Sequence, residues 1–413
     1  MITGKNMHNF IDLFCGAGGF AKGFELTNKF RCIGAIDNKE DAVKTHKANF
    51  SSSYTLCDDI RNIDPFEFEK KLDGEVDVLI GGPPCPTFST IGHAKIESIN
   101  RPKGGCITED PRNTLFLDYF RFVKHFRPKV FVMENVPQFL TKYKGQTFQR
   151  ALEIIGAELP EYKIASKKCI LNSVNYGVPQ NRRRMFLVGC LNGYEFQYPR
   201  ITHWSKTSKF NIDPHDDDAK GNGLQPHVTV GMAISDLPSI TDNWRISECA
   251  YSRNSNLCEY QIKLRNKNIK TVKNNICRMS NDRAKRVFDH MKQGDIYMDL
   301  PKEVRQILPF REDIFKDRLK RLISDEPSWT VIAHIGMDGY MYIHPTECRT
   351  LSVREAARIQ SFPDNFEFIG NQQETYVQVG NAVPPILAQA IAESVNNCLL
   401  KNISRGGGEL VGN

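Results

Sequence analysis

Five short apolar runs, most of them followed by a helical segment, constrain the fold of this chain more than any other feature. NFIDLFCGAGGFAKGFEL joins a strand, a glycine turn and a helix. CIGAID is a second strand ending at Asp37, YTLCDDI a third ending near Asp58 and Asp59, VDVLIGG a fourth, and KVFVMENV a fifth ending at Glu134. Helices are expected over residues 39–49 and across NTLFLDYFRFVKHF, where Phe116, Phe120 and Val123 recur at helical spacing behind Asn113 or Thr114 as N-cap. RRMFLVGC reads as a further strand. Strands alternating with helices predict an α/β fold with a doubly wound, mostly parallel sheet. Ligands of such sheets bind outside the carboxyl ends of the strands.

The alternation weakens after Leu191, and residues 200–330 are rich in Asn, Lys, Ser and Asp. A second, smaller domain is expected there. Order returns at RTLSVREAARIQSFPD, where Ser352 and Glu355 form a capping box, so a helix starts at Val353 and stops before Pro363. PPILAQAIAESVNNCLL is a last long helix with Ile386, Ala390, Ile391 and Val395 as its apolar stripe. The expected division is a catalytic domain over 1–195 completed by 330–400, an inserted domain over 196–329, and a disordered tail over 401–413.

Composition excludes several classes. With 40% hydrophobic and 25% charged residues among 413, the chain is an ordinary soluble protein with ample core. The twelve cysteines contain no C-x-x-C pair, which argues against a zinc ribbon, and no metal site is expected. PHDDDAK at 214–220 is read as a solvated turn. No targeting segment opens MITGKNMHNF and no run is long and apolar enough to span a membrane, so a reducing cytoplasm is the expected location.

Three strand ends carry chemistry. DLFCGAGGFAKG places Gly16, Gly18 and Ala21 in a G-x-G-x-x-A frame, with Asp37 at the end of the next strand as a ribose-hydroxyl acceptor. This geometry serves dinucleotides and S-adenosylmethionine alike. LIGGPPCPTFST runs a strand into two glycines and two prolines before Cys85, fixing a thiol on a rigid turn at the sheet edge. Glu134 ends the fifth strand. A thiol and a carboxyl beside an adenosine-type cofactor fit one reaction. Thiolate addition at C6 of cytosine makes C5 nucleophilic, and a carboxyl can supply the hydrogen bond or proton this needs at N3.

These residues resemble a family. DLFCGAGGF, GGPPCPTFS, ENV at 134–136, QNRRR at 180–184, RTLSVREAARIQSFPD and QVGNAVPP are similar, in order, to six motifs of the DNA (cytosine-5)-methyltransferases of prokaryotic type. The resemblance implies a Rossmann-like S-adenosylmethionine-dependent methyltransferase sheet with a smaller inserted target-recognition domain. It implies Cys85 as nucleophile, Glu134 on N3 and the exocyclic amine, and Arg182 and Arg184 holding the cytosine and the catalytic loop. Phe14, Gly16, Gly18, Gly19, Asp37, Asp59 and Asn381 would surround S-adenosylmethionine, with Asp58 competing with Asp59 for the adenine. Two departures stand out: Pro86 follows the cysteine where many relatives have glutamine, and Asn38 follows the ribose acid where an apolar residue is common.

The implied substrate is a cytosine flipped out of double-stranded DNA, and 196–329 is the expected reader. Lys263, Arg265, Lys267, Lys270, Lys273 and Arg278 belong to a stretch, 263–286, holding nine basic residues against one acid, which suits phosphate contacts. Ser89, in the loop after Cys85, is a further expected DNA contact, and that loop is expected to close over the flipped base. Arg354 and Arg358, four apart on one helical face, read as structural. The expected partners are DNA and a restriction endonuclease acting separately, with the enzyme a monomer. A tRNA-directed relative, an NAD-dependent oxidoreductase and a silent DNA-binding protein are the competing readings.

Overall fold

Hydrophobic strands between helices assemble as the alternation predicts. In the computed structural model, residues 7–84, 114–165, 169–205, 223–240, 247–252, 255–265, 270–310 and 318–406 are described. Strands β1 (His8–Leu13), β2 (Phe30–Asp37), β3 (Tyr54–Cys57), β4 (Val78–Gly81) and β5 (Val130–Asn135) are parallel. Past β6 (Tyr162–Ile164), β7 (Ile170–Asn172) and the short β8 (Gln180–Asn181), β9 (Arg183–Leu191) lies antiparallel to β5. The sheet order is β3-β2-β1-β4-β5-β9-β6, with β7 also on β9. The order reverses between β1 and β4, and such a switch point opens a crevice at the strand ends.

Val78, Leu79 and Ile80 of β4 and Val130 to Met133 of β5 are fully buried, as strands covered on both faces must be. One covering layer is the helix Leu115–Phe126, whose Phe116, Tyr119, Phe120 and Val123 enter the core.

By its contacts the chain divides into two units. One comprises 1–172, 183–200 and 388–413; the other 173–182 and 201–387. The expected boundaries differ from this division, since 330–387 groups with the inserted residues. The reason lies in the helix Val353–Ile359. Arg358 binds Asp364 through Nε at 2.5 Å and Asp236 through Nη1 at 3.2 Å, all fully buried, and Tyr251 donates to Asp364. Arg354 donates to the carbonyls of Lys273, Pro363 and Phe366. Both arginines are structural, as their spacing predicts, and Asp236 and Lys273 among their partners belong to the inserted sequence. The capping box forms: Ser352 Oγ accepts from Glu355 N–H at 3.0 Å and Glu355 from Ser352 N–H at 2.7 Å.

The last helix spans Pro385–Gly406, so 401–406 continue it instead of starting a disordered tail. After Pro385, the chain meets no breaker until the glycine run at 406–408. No helix among the described residues is long and apolar enough to cross a membrane, and no group of three or more potential metal ligands occurs among them. PHDDDAK lies outside the described residues.

Candidate active site

The turn after β1 is shaped by its glycines. Phe14, Gly16 and Gly18 all take positive φ, at 58°, 53° and 98°. A Cβ on Gly18 would meet Phe50 Cε2 at 2.4 Å, so the turn rests directly on that ring, whereas a Cβ on Gly16 would meet nothing within 4 Å among the described residues. Gly18 ends the turn as N-cap of the helix Gly19–Glu25. Asp37 faces the turn from β2: its carboxylate accepts from Gly16 N–H and Lys39 N–H, both at 2.9 Å. Burial nonetheless raises the Asp37 pKa above the usual carboxylate range, against those two bonds. Open space at Gly16, a left-handed turn and an acid at the switch point fit an adenosyl ligand.

Asp12 escaped the sequence reading. It is 1% exposed within β1, and its Oδ2 has no hydrogen-bond partner among the described residues. Burial, then the neighbouring Asp37, raises its pKa well above normal, while the Ala21 N–H it accepts opposes this. The signal was present: one carboxylate inside the apolar run NFIDLF.

Asp59 has local commitments. It accepts from Arg61 N–H at 3.0 Å and pairs with the Arg61 guanidinium, which lowers its pKa. Asp58 accepts from Asp59 N–H and from Asn62 Nδ2. Neither acid is fixed toward the glycine turn by a bond to it.

Around β4 and β5 the strand ends meet. Gly82 N–H donates to Leu13 O at 3.3 Å, Asn135 Nδ2 donates to Pro83 O at 3.0 Å, and a Cβ on Gly82 would meet Glu134 Oε2 at 3.0 Å. Thus the turn leading to Cys85 is tied to Leu13, at the end of β1, and to Asn135, next to Glu134. Asn135, the middle of ENV, was a second residue missed in the sequence. Arg184 Nε pairs with Glu134 Oε1 at 2.9 Å, with side chains only 13% and 14% exposed. Burial lowers the Arg184 pKa, and Glu134 opposes this. β9 supplies Arg184 because it runs against β5, with Asn135 opposite Met185.

In the second unit, Arg182 is 1% exposed and donates to Val331 O at 2.7 Å and Gly380 O at 3.2 Å, with Asn381 O at 3.5 Å. The two arginines are therefore not equivalent: Arg184 faces a carboxylate, and Arg182 binds main-chain carbonyls around Asn381. Among the basic residues, Arg265 pairs with Asp236 at 2.7 Å and stacks on Tyr251 at 3.7 Å, so its charge is committed inside the fold. Lys273 pairs with Glu367 at 2.9 Å, Arg278 lies over the Tyr376 ring, and Lys263 and Lys270 are exposed. Cys85, Ser89, Lys267 and the loop expected to close over the base lie outside the described residues.

A family model, the C-5 cytosine-specific DNA methylases, matches residues 8–397. The chain belongs to that family. Membership makes this methylase a DNA (cytosine-5-)-methyltransferase, as its six motifs implied. The methylase is 32% identical over 442 positions to Type II methyltransferase M.AgeI of Thalassovita gelatinovora, covering 93% of this chain and 98% of the relative. It is 33% identical to Type II methyltransferase M.DdeI of Desulfomicrobium norvegicum, covering 94% and 88%. Among solved structures, a prophage-encoded E. coli protein described as a DNA modification methyltransferase superposes with TM-score 0.70 at 24% identity, covering 95% of this methylase and 99% of that chain. That likeness bears on the fold, which is the Rossmann-like sheet expected.

Proposed function

We propose that the chain, as a monomer, transfers a methyl group from S-adenosylmethionine to C5 of a cytosine flipped out of double-stranded DNA, through a transient bond between the Cys85 sulfur and C6. The observation that carries this reading is Glu134: it ends β5, pairs with Arg184 at 2.9 Å, and lies against Gly82 of the turn that leads to Cys85. S-adenosylmethionine supplies the electrophilic methyl group. The left-handed turn of Phe14, Gly16 and Gly18, with Gly19 opening the helix behind it, admits it, and Asp37 retains lone pairs for ribose hydroxyls beside those given to Gly16 and Lys39. Asn381 supports the pocket, with Arg182 securing its backbone.

Cys85 adds to C6, and C5 becomes an enamine carbon able to attack the methyl group. With the Arg184 guanidinium on one oxygen, Glu134 offers the other to the exocyclic amine and favours a proton on N3. The C5 proton is then lost, the sulfur–C6 bond breaks, and the thiolate is regenerated. The inserted residues 196–329 read the sequence, with Lys263, Lys270, Lys273 and Arg278 on phosphates. The type II names of the relatives support a restriction–modification setting with a separate endonuclease.

The test begins in a methylation-free host, where bisulfite sequencing of the DNA should reveal protected cytosines at one sequence. A duplex bearing 5-fluorocytosine there should form a denaturant-resistant adduct with the wild type and none with Cys85→Ala, which should still bind S-adenosylmethionine. Soluble protein without protected cytosines, or full activity in Cys85→Ala, would overturn the proposal.

A further inference from the structure

Ten cysteines fall among the described residues and all are free thiols. Two of them, both in the first unit, meet. Cys190, near the end of β9, and Cys398, in the last helix, are each 2% exposed, and their sulfurs lie 3.9 Å apart. A disulfide requires about 2.05 Å between sulfurs, and these two already lie within reach of each other. The setting distinguishes the two thiols. The hydrogen bond between the two sulfurs, in which either can donate, lowers the Cys398 pKa against the effect of burial, helped by Glu195 N–H and the Lys401 ammonium. That same bond and burial raise Cys190. The direction of both shifts, with Cys398 on the groove side, favours Cys398 as the attacking thiol and Cys190 as the resolving one.

The pair also has an approach. Cys398 lines a groove of about 360 Å³ formed by Glu195, Tyr198, Arg200, Ser394, Asn397 and Lys401. Its polar rim suits a small polar oxidant. Along β9, Cys190 lies six residues beyond Arg184, roughly 20 Å at strand rise, so the pair is separate from the candidate active site.

We propose that Cys190 and Cys398 form a peroxide-sensitive dithiol that closes to a disulfide, tying the last helix to β9. The Cys398 thiolate attacks one oxygen of hydrogen peroxide, the O–O bond breaks, and hydroxide leaves to take up the proton Cys398 had lost. The sulfenic acid formed is attacked by the Cys190 sulfur. The S–O bond breaks, and the Cys190 proton leaves with that oxygen as the second water. Two thiols are oxidised by two electrons and one peroxide is reduced to two waters.

The test treats the full chain with hydrogen peroxide, alkylates the remaining thiols and digests with trypsin. Cys190 is the only cysteine of peptide 185–200 and Cys398 the only one of 359–401, so their link is read directly, apart from the Cys85 peptide. The expected product is those two peptides joined, two hydrogens lighter than their sum. It should form at least tenfold faster in native protein than in urea, and Cys398→Ser should leave Cys190 open to alkylation. Separate alkylation of both cysteines after exposed Cys57 has been oxidised would overturn the proposal. So would a link forming no faster in the native chain than in the unfolded one. Both readouts use the wild-type chain and do not depend on the variant folding.

Discussion

Gly16 and Gly18 belong to one turn and share a left-handed backbone, yet alanine should affect them differently. Any L-residue pays about 1–2 kcal/mol in that conformation. At Gly16 nothing else among the described residues opposes a methyl group, because none of them comes within 4 Å. At Gly18 the methyl would lie 2.4 Å from Phe50 Cε2 and 3.0 Å from His46 Cδ2, two rings stacked at 4.3 Å that cannot yield independently. Overpacking of this kind adds about 1–3 kcal/mol. Gly18→Ala should therefore lose about 2–5 kcal/mol and Gly16→Ala about 1–2 kcal/mol. Urea unfolding followed by far-ultraviolet circular dichroism, with amide exchange of β1 and β2, measures both. Phe50→Leu combined with Gly18→Ala should recover about 1 kcal/mol or more of coupling, which a double-mutant cycle isolates. Ligand affinity should show the reverse order. Gly16→Ala, whose methyl enters the open space, should weaken S-adenosylmethionine binding about tenfold or more, equivalent to about 1.4 kcal/mol. Equal stability losses at the two glycines, or no coupling to Phe50, would refute the packing argument.

Further outcomes are expected elsewhere. Glu134→Gln should lower the methyl-transfer rate by about 10²-fold or more, with circular dichroism unchanged; near-normal turnover would remove Glu134 from the chemistry. Burial would push the Glu355 carboxyl up, but Arg349, His344 and the Ser352 N–H hold it at about 2, below its ordinary 4.5. Because the folded pKa is depressed, this stabilisation is complete above about pH 4.5 and is lost as the pH falls toward 2, a change of about 3 kcal/mol. Glu355→Gln should flatten that acid limb in urea titrations at successive pH values. Arg265→Ala should cost stability and leave the salt dependence of DNA binding intact, whereas Lys270→Ala should reduce its slope by about 0.9 at unchanged stability. Fluorescence anisotropy across salt concentrations separates the two.

The sequence made the sheet legible because each of its first five strands is an apolar run with a sharp end. Asp37, Glu134 and the glycine turn could be placed at one edge for the same reason. What it left hidden depends on direction and partners. Nothing in RRMFLVGC says that the strand runs against its neighbour, so the pairing of Arg184 with Glu134 was not predictable. Arg182 and Arg184 look alike in QNRRR, and only their different partners separate them. Arg265 appears as one more charge in a basic stretch, although Asp236, 29 residues earlier, takes it up. The helix Gln146–Glu158 begins at Gly145 with positive φ and without a Ser, Thr, Asp or Asn cap, so its start carries no local marker. Conversely, the capping box at Ser352 and Glu355 was read correctly because it is a short-range signal.

The run of three arginines at the head of β9 bears on how this sheet tolerates change. Loss of Met185 would carry Arg184 into the fully buried core place that Met185 fills, while Arg183 would move into the vacated one and still offer Glu134 a guanidinium. The damage would fall on the guanidinium now buried in the core and on Arg182, pulled from the carbonyls it holds. Insertions and deletions at this junction should therefore be selected against through the core that Met185 fills and the framework around Asn381, with the electrostatic partner of the carboxylate protected by redundancy.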